Sequence, residues 1–287
     1  MPFTFLAHQA PVLPLKLWRP RWFSGAALAI GSMAPDFDKF IDGADASRYG
    51  HTLAGQVVYC LPLSLVIYWL LTRIAAPPLA RFLPDLGALH LRDYAASLAT
   101  VRPRHEWLLV ATSVLVGSAS HVAFDGFTHA DPRVVALFPF LGPRAVAIGG
   151  RSYSLLTVLQ VVATVAGAAF TLGLMRAIGR KRRVLAWSNL DPASVPARAE
   201  RSPAAIRYWS AVAVLTVGGA GALALLHLAL AGWTRFPGLG YAVALRLPVV
   251  GFAALCLAAL VVRWPAWPAA SPVSRTTPPR RSRLNTP

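Results

Sequence analysis

The segment Ser120-His-Val-Ala-Phe-Asp-Gly-Phe-Thr-His129 sets two imidazoles and one carboxylate, His121, Asp125 and His129, at four-residue intervals. Steps of four fall on nearly one face of a helix, so the three side chains form a polar stripe. The preceding run, Trp107 to Ala119, is apolar enough to be membrane-embedded, and ionisable groups there are costly and usually partnered. Candidate partners are His8, His51 and the two carboxylates of Pro35-Asp-Phe-Asp38, namely Asp36 and Asp38. Imidazole combined with carboxylate suits a borderline divalent metal, zinc ahead of manganese or iron. An all-oxygen set would favour magnesium or calcium, and a thiolate set a structural zinc. A mixed His/Asp set can leave one position for water and lower its pKa towards neutrality, which yields a hydrolytic nucleophile. His8, Asp36, Asp38, His51, His121 and Asp125 exceed the needs of one zinc ion. Two metals, or one metal with outer partners that orient its ligands, both satisfy the set. His129 falls at the rim.

Taken singly, these residues have ordinary explanations. Asp36 and Asp38 fit a proline-containing turn with Asx bonding, and His51 fits a helix start. What raises them is the location of the elements that carry them. The chain is 56% hydrophobic and 14% charged, with a mean hydropathy of +0.53, and this composition belongs to an integral membrane protein. A net charge of +17 could suggest nucleic acid, but the basic residues lie in the gaps between apolar runs rather than on one folded face. Membrane lipid is therefore the expected partner, and nucleic acid is not. Cys60 and Cys256 lie far apart within apolar segments, without metal-type spacing or a disulfide framework.

The expected fold is all-α: a polytopic helical membrane protein with about five spanning helices and a short N-terminal hairpin, re-entrant or half-inserted. Thr4 to Leu17, broken by Pro11 and Pro14, is too short to cross a bilayer of about 30 Å. Paired with Phe23 to Ala34, it would bring His8 near Asp36. Runs long enough to span are His51 to Leu71, with Thr52 at its start, then Trp107 to His129, Ser154 to Met175, Tyr208 to Ala231 and Tyr241 to Val262. Arg73 to Glu106 reads as a mixed connection with an interfacial helix inside Asp85 to Thr100. Residues 1–263 form the transmembrane domain, with the metal site inside 1–160. Residues 264–287 form a basic Pro/Ser/Thr-rich tail expected to be disordered.

Alternating segments 16–22, 73–106, 176–207 and 263–287 hold 21 of the 28 Lys and Arg residues. The positive-inside rule puts these segments, and the tail, in the cytoplasm. Asp36, Asp38, His51, Asp125 and His129 then meet at the opposite face of the inner membrane, although none of them entered the count.

Pro35-Asp-Phe-Asp38, Gly50-His-Thr52 and Ser120-His-xxx-Asp125-xx-Thr128, with an N-terminal His8, resemble the pattern of the YdjM-like predicted inner-membrane metal-dependent hydrolases. Pro2-Phe-Thr-Phe-Leu-Ala-His8, Gly31-Ser-Met-Ala-Pro-Asp36 and Asp125-Gly-Phe-Thr-His129 resemble more closely a related family of uncharacterised polytopic bacterial membrane proteins. The resemblance covers about the first 160 residues and implies His8, Asp36, Asp38, His51, His121 and Asp125 as the metal set. The family pattern carries a Leu-Gln-His triplet in the next span. Here Leu159-Gln160 is followed by Val161, so Gln160 points towards the site without an adjoining imidazole.

The function these features imply is a membrane-bound metal-dependent hydrolase with its site at the outer membrane face, acting on a lipid or another amphiphile. The alternatives are an ion-binding transporter and a non-catalytic accessory membrane protein. Transporters more often carry paired repeats and midplane sites. In this chain no repeat is visible and the candidate ligands gather at one end.

Overall fold

A computed structural model describes residues 5–42, 48–84, 86–100, 106–128, 132–196, 199, 201–231 and 238–262. The chain opens with short helices α1 (Phe5–Gln9), α2 (Leu13–Trp18) and α3 (Gly25–Gly31). Pro14 lies in the first turn of α2, where its missing N–H is no loss. The Lys16 ammonium closes the connection to α3 by donating to the carbonyls of Pro20 and Phe23 at 2.6 and 2.9 Å. Ser24 caps α3, its hydroxyl accepting from the Ala27 N–H. A 3-10 turn, Ala34–Asp36, then leads into α4 (Phe37–Asp42).

Thr52 caps the next helix by accepting the Gly55 N–H at 2.9 Å, as its place before the apolar run leads one to expect. That helix runs from Leu53 to Phe82 as three α-helical pieces, α5 (Leu53–Gly55), α6 (Leu61–Leu70) and α7 (Ala76–Phe82). Two π turns, Gln56–Cys60 and Leu71–Ala75, join them. The expected end at Leu71 is therefore eleven residues too early. Each π turn stops two residues before a proline, Pro62 and Pro77. The widened turn makes room where the proline ring would strike the carbonyl four residues back, so these prolines do not break the helix.

There follow α8 (Leu91–Ala99), α9 (Glu106–Thr128), α10 (Pro132–Leu137), strands β1 (Ala145–Ile148) and β2 (Arg151–Ser154), α11 (Leu155–Arg180), α12 (Arg183–Trp187), α13 (Pro203–Ala231) and α14 (Leu239–Val261). The antiparallel β1–β2 hairpin is a small addition to the expected all-α fold. Its Gly149-Gly150 turn holds φ of 58° and 77°, the two positive values that a tight two-residue hairpin requires, and that Gly-Gly pair was the signal for it in the sequence. The rest is helical. Five helices, Leu53–Phe82, Glu106–Thr128, Leu155–Arg180, Pro203–Leu230 and Leu239–Val261, are long and apolar enough to cross a membrane. The most apolar stretch of Pro203–Leu230 has none of its residues buried, and Val214, Val217, Leu225, Leu226 and Leu230 are exposed, as lipid contact requires. This is the architecture of a multi-pass membrane protein.

Helices α3 and α9 run parallel in close contact. The Ser24 N–H donates to Ser113 Oγ at 2.9 Å, and one turn beyond Leu28 and Gly117 the Ser32 carbonyl meets His121 Nδ1 at 2.8 Å. Small residues permit this approach. A Cβ on Gly31 would lie 2.2 Å from the Val114 carbonyl oxygen, and one on Gly117 would lie 2.4 Å from that of Leu28. Helix α11 holds α1 in place through Gly167, which faces the Ala7 backbone, and through the Thr171 hydroxyl, which donates to the Leu6 carbonyl at 2.7 Å.

The end remote from α4 is tied by Arg182. Its Nε and Nη2 donate to both oxygens of buried Asp93, each at 2.7 Å, pinning α8 to the α11–α12 junction. Arg182→Ala is expected to cost about 2 kcal/mol, less than the roughly 3–5 kcal/mol of a fully buried broken pair because the arginine side chain is 38% exposed. Thermal unfolding in detergent measures this loss.

Candidate metal centre

Three elements bring the ligand atoms together. The 3-10 turn after α3 presents Asp36, a second 3-10 turn (Arg48–His51) presents His51, and the outer turns of α9 present His121 and Asp125. The two 3-10 turns are in contact because residue 50 is glycine. A Cβ there would sit 2.6 Å from the Pro35 carbonyl oxygen. One ligand atom from each of Asp36, His51, His121 and Asp125 lies within 4.8 Å of every other.

The individual spacings are informative. His51 Nε2 is 3.3 Å from Asp125 Oδ2 and 3.6 Å from Asp36 Oδ1. His121 Nε2 is 3.4 Å from Asp125 Oδ2 and 3.7 Å from Asp36 Oδ1. Ligands bound at about 2.0–2.1 Å in a tetrahedron stand about 3.4 Å apart along its edges. These four separations are close to such edges, and all four atoms lie within 4.8 Å of one another, so the cluster is able to hold one small divalent ion.

His121 is 1% exposed, and its tautomer follows from its neighbours. The Ser32 carbonyl can only accept, so Nδ1 carries the hydrogen and Nε2 turns a lone pair towards two carboxylates. Nε2 makes no hydrogen bond. A lone pair facing two anions calls for a cation between them, whether a proton or a metal ion. The Nδ1–H to carbonyl bond is also the outer contact that metal-binding histidines habitually make. The donor set fits a divalent metal.

His8 stands beside the four. Its ring stacks on His121 at 4.1 Å between centroids, and its Nε2 is 3.6 Å from Asp125 Oδ1. Asp38 is buried and is not one of the four grouped residues. One of its oxygens accepts the Lys39 N–H at 2.8 Å, the other has no hydrogen-bond partner, and burial pushes its carboxyl pKa up. Gln160 is half-buried on α11, seven residues before Gly167. His129 and the 264–287 tail lie outside the described residues.

Two contributors escaped the sequence reading. Lys39 Nζ donates to Asp36 Oδ1 at 2.7 Å, a contact that the Asp-x-x-Lys spacing could have announced. A carboxylate oxygen has a second lone pair, so the ammonium does not exclude a metal there. The Ser32 carbonyl is a backbone acceptor and carries no signature in the sequence.

Fold and centre together define a polytopic helical membrane protein with a His/Asp cluster able to hold a divalent metal ion. The chain belongs to the family described as domain of unknown function DUF4184, which matches residues 1–264 and so takes in the last two spans as well as the motif-bearing region. No curated protein and no solved structure matches it.

Proposed function

We propose that this protein is a membrane-embedded metal-dependent hydrolase whose centre opens at the non-cytoplasmic face of the inner membrane and acts on an amphiphile, such as a lipid phosphoester or an acyl- or amide-linked lipid. The observation that carries this reading is the spacing of Asp36, His51, His121 and Asp125, which is close to that of ligands around one tetrahedral ion, with zinc as the first expectation. A bound divalent metal would act as a Lewis acid and lower the pKa of a coordinated water. The Ser32 carbonyl keeps His121 in the tautomer that offers Nε2. Asp125 faces the imidazoles of His8, His51 and His121 and would supply negative charge to a cation held among them. The stacked His8 ring closes the side of the centre towards α1 and excludes water there. Lys39, at the more open edge beside Asp36, offers an ammonium to a phosphoryl or carboxyl oxygen of the substrate. Asp38 supports this edge from behind, and His129 and Gln160 are proposed as rim residues. The motif kinship with the YdjM-like predicted hydrolases supports the reaction class, and the basic-residue asymmetry supports the orientation.

Purified protein incubated with a lipid extract, with mass analysis of the products, tests the reaction. Hydrolysis that chelation abolishes and zinc restores is the expected result. Tightly bound metal without any product would favour the ion-carrier or accessory reading instead. A reporter fused after Met175 is expected in the cytoplasm, and an outer location would invert the topology.

A further inference from the structure

The helix Leu53–Phe82 carries a second feature that metal chemistry does not explain. Gln56, Cys60, Ser64, Tyr68 and Thr72 recur every four residues, and all are buried, at 7%, 0%, 0%, 3% and 7% exposure. In a straight α-helix each four-residue step drifts about 40° around the axis. The π turns Gln56–Cys60 and Leu71–Ala75, which rotate less per residue, bracket the line, and each of its five members is buried.

Two members of this line are chemically unsettled. A helical serine or threonine usually returns its hydroxyl to a carbonyl three or four residues back, as Thr72 does to Tyr68 at 2.8 Å. Ser64 Oγ does not, and neither it nor Tyr68 Oη has a hydrogen-bond partner among the described residues. A buried hydroxyl left unpaired costs about 1–3 kcal/mol, so two on one seam call for a polar occupant. One end of the line adjoins the turn that carries His51, where the Cys60 thiol donates to the carbonyl of Gly50 at 3.6 Å. At the other end Tyr68, Thr72, Arg73 and Glu106 line a small, partly open cavity.

We propose that this seam holds a file of water molecules and conducts protons between the metal centre and the cavity at the far end of the helix. Ser64 and Tyr68 carry their unpaired hydroxyls about one turn apart on the same buried line. Each oxygen passes on its own proton as it accepts the arriving one, so one proton leaves for each that enters and no heavy-atom bond changes. The inference rests on the seam itself and stands whichever reaction, if any, the centre performs.

The protein contains residues for comparison. Tyr208 and Cys256 are buried as Tyr68 and Cys60 are, but away from the seam, and the Tyr208 hydroxyl donates to the Leu255 carbonyl at 3.4 Å. X-ray radiolysis of the solubilised full-length protein generates hydroxyl radicals from bound water and labels the side chains that touch it. Tyr68 and Cys60 are expected to be modified at least about tenfold faster than Tyr208 and Cys256, and equal rates would overturn hydration of the seam. In proteoliposomes under a valinomycin-clamped potassium gradient, with luminal pH read by a trapped dye, wild-type protein is expected to pass protons and Tyr68→Phe at least about tenfold fewer. Flux no greater than in empty liposomes, or a Tyr68→Phe variant as conductive as wild type, would overturn the proton path even if the seam proved wet.

Discussion

Asp125→Ala is expected to strip the metal from the purified, detergent-solubilised protein. Asp125 is the hub of the cluster, with His51, His121 and His8 at 3.3, 3.4 and 3.6 Å from its oxygens. Its removal leaves the imidazoles of His51 and His121 facing Asp36, whose Oδ1 already accepts Lys39. Loss of an outer hydrogen-bond partner alone lowers metal affinity by about 10–100-fold, and loss of a ligand carboxylate costs more. Metal content by mass spectrometry should therefore drop from near stoichiometric to less than about a tenth of that value after one wash at micromolar free metal. Asp125→Asn keeps the shape and removes the charge, so the same drop is expected there. Wild-type protein that is metal-free after gentle purification would end the metal reading, and a fully loaded Asp125→Ala would move the centre elsewhere.

The second large effect belongs to the α3–α9 contact. Gly117→Val puts a branched side chain where even a Cβ would be 2.4 Å from the Leu28 carbonyl oxygen and 2.8 Å from the Ser32 amide nitrogen. Those are backbone atoms and cannot rotate away. The helices must separate, at a cost above the roughly 1–3 kcal/mol of ordinary overpacking. Ser32 then recedes from His121, the ring loses the acceptor that sets its tautomer, and metal binding falls together with thermal stability. Gly173→Ala is the matching control, since nothing lies within 4 Å of a Cβ there, and replacing a helical glycine with alanine should be neutral or favourable by up to about 1 kcal/mol. A Gly117→Val protein as stable and as metal-loaded as wild type would contradict the parallel contact.

Much of the architecture was legible from local pattern. Apolar runs of about twenty residues mark the spans because a bilayer of fixed thickness demands them. Thr52 announced a helix start because a threonine ahead of an apolar run satisfies an orphan N–H. The same local logic ended a helix at Leu71 before the prolines, whereas a π turn carries it to Phe82. Gly149-Gly150 carried a readable hairpin signal that the strength of the helical pattern overshadowed.

The sequence by itself determined the class of protein, the spans and the chemical types of the ligands. Those follow from composition and from periodicities of three or four residues, which are properties of the nearest turn of chain. Tertiary structure alone decided the company these ligands keep: Asp36, His51, His121 and Asp125 within 4.8 Å of one another, with His8 stacked alongside and Asp38 not one of the four. That selection depends on Gly31 and Gly117 letting α3 lie against α9, and on Gly50 letting the His51 turn rest on Pro35. Contacts between residues tens of positions apart are set by backbone approach and not by sequence spacing. The Ser32 carbonyl that orients His121 shows this most plainly, because a backbone atom common to every residue acquires its role only from where the chain places it.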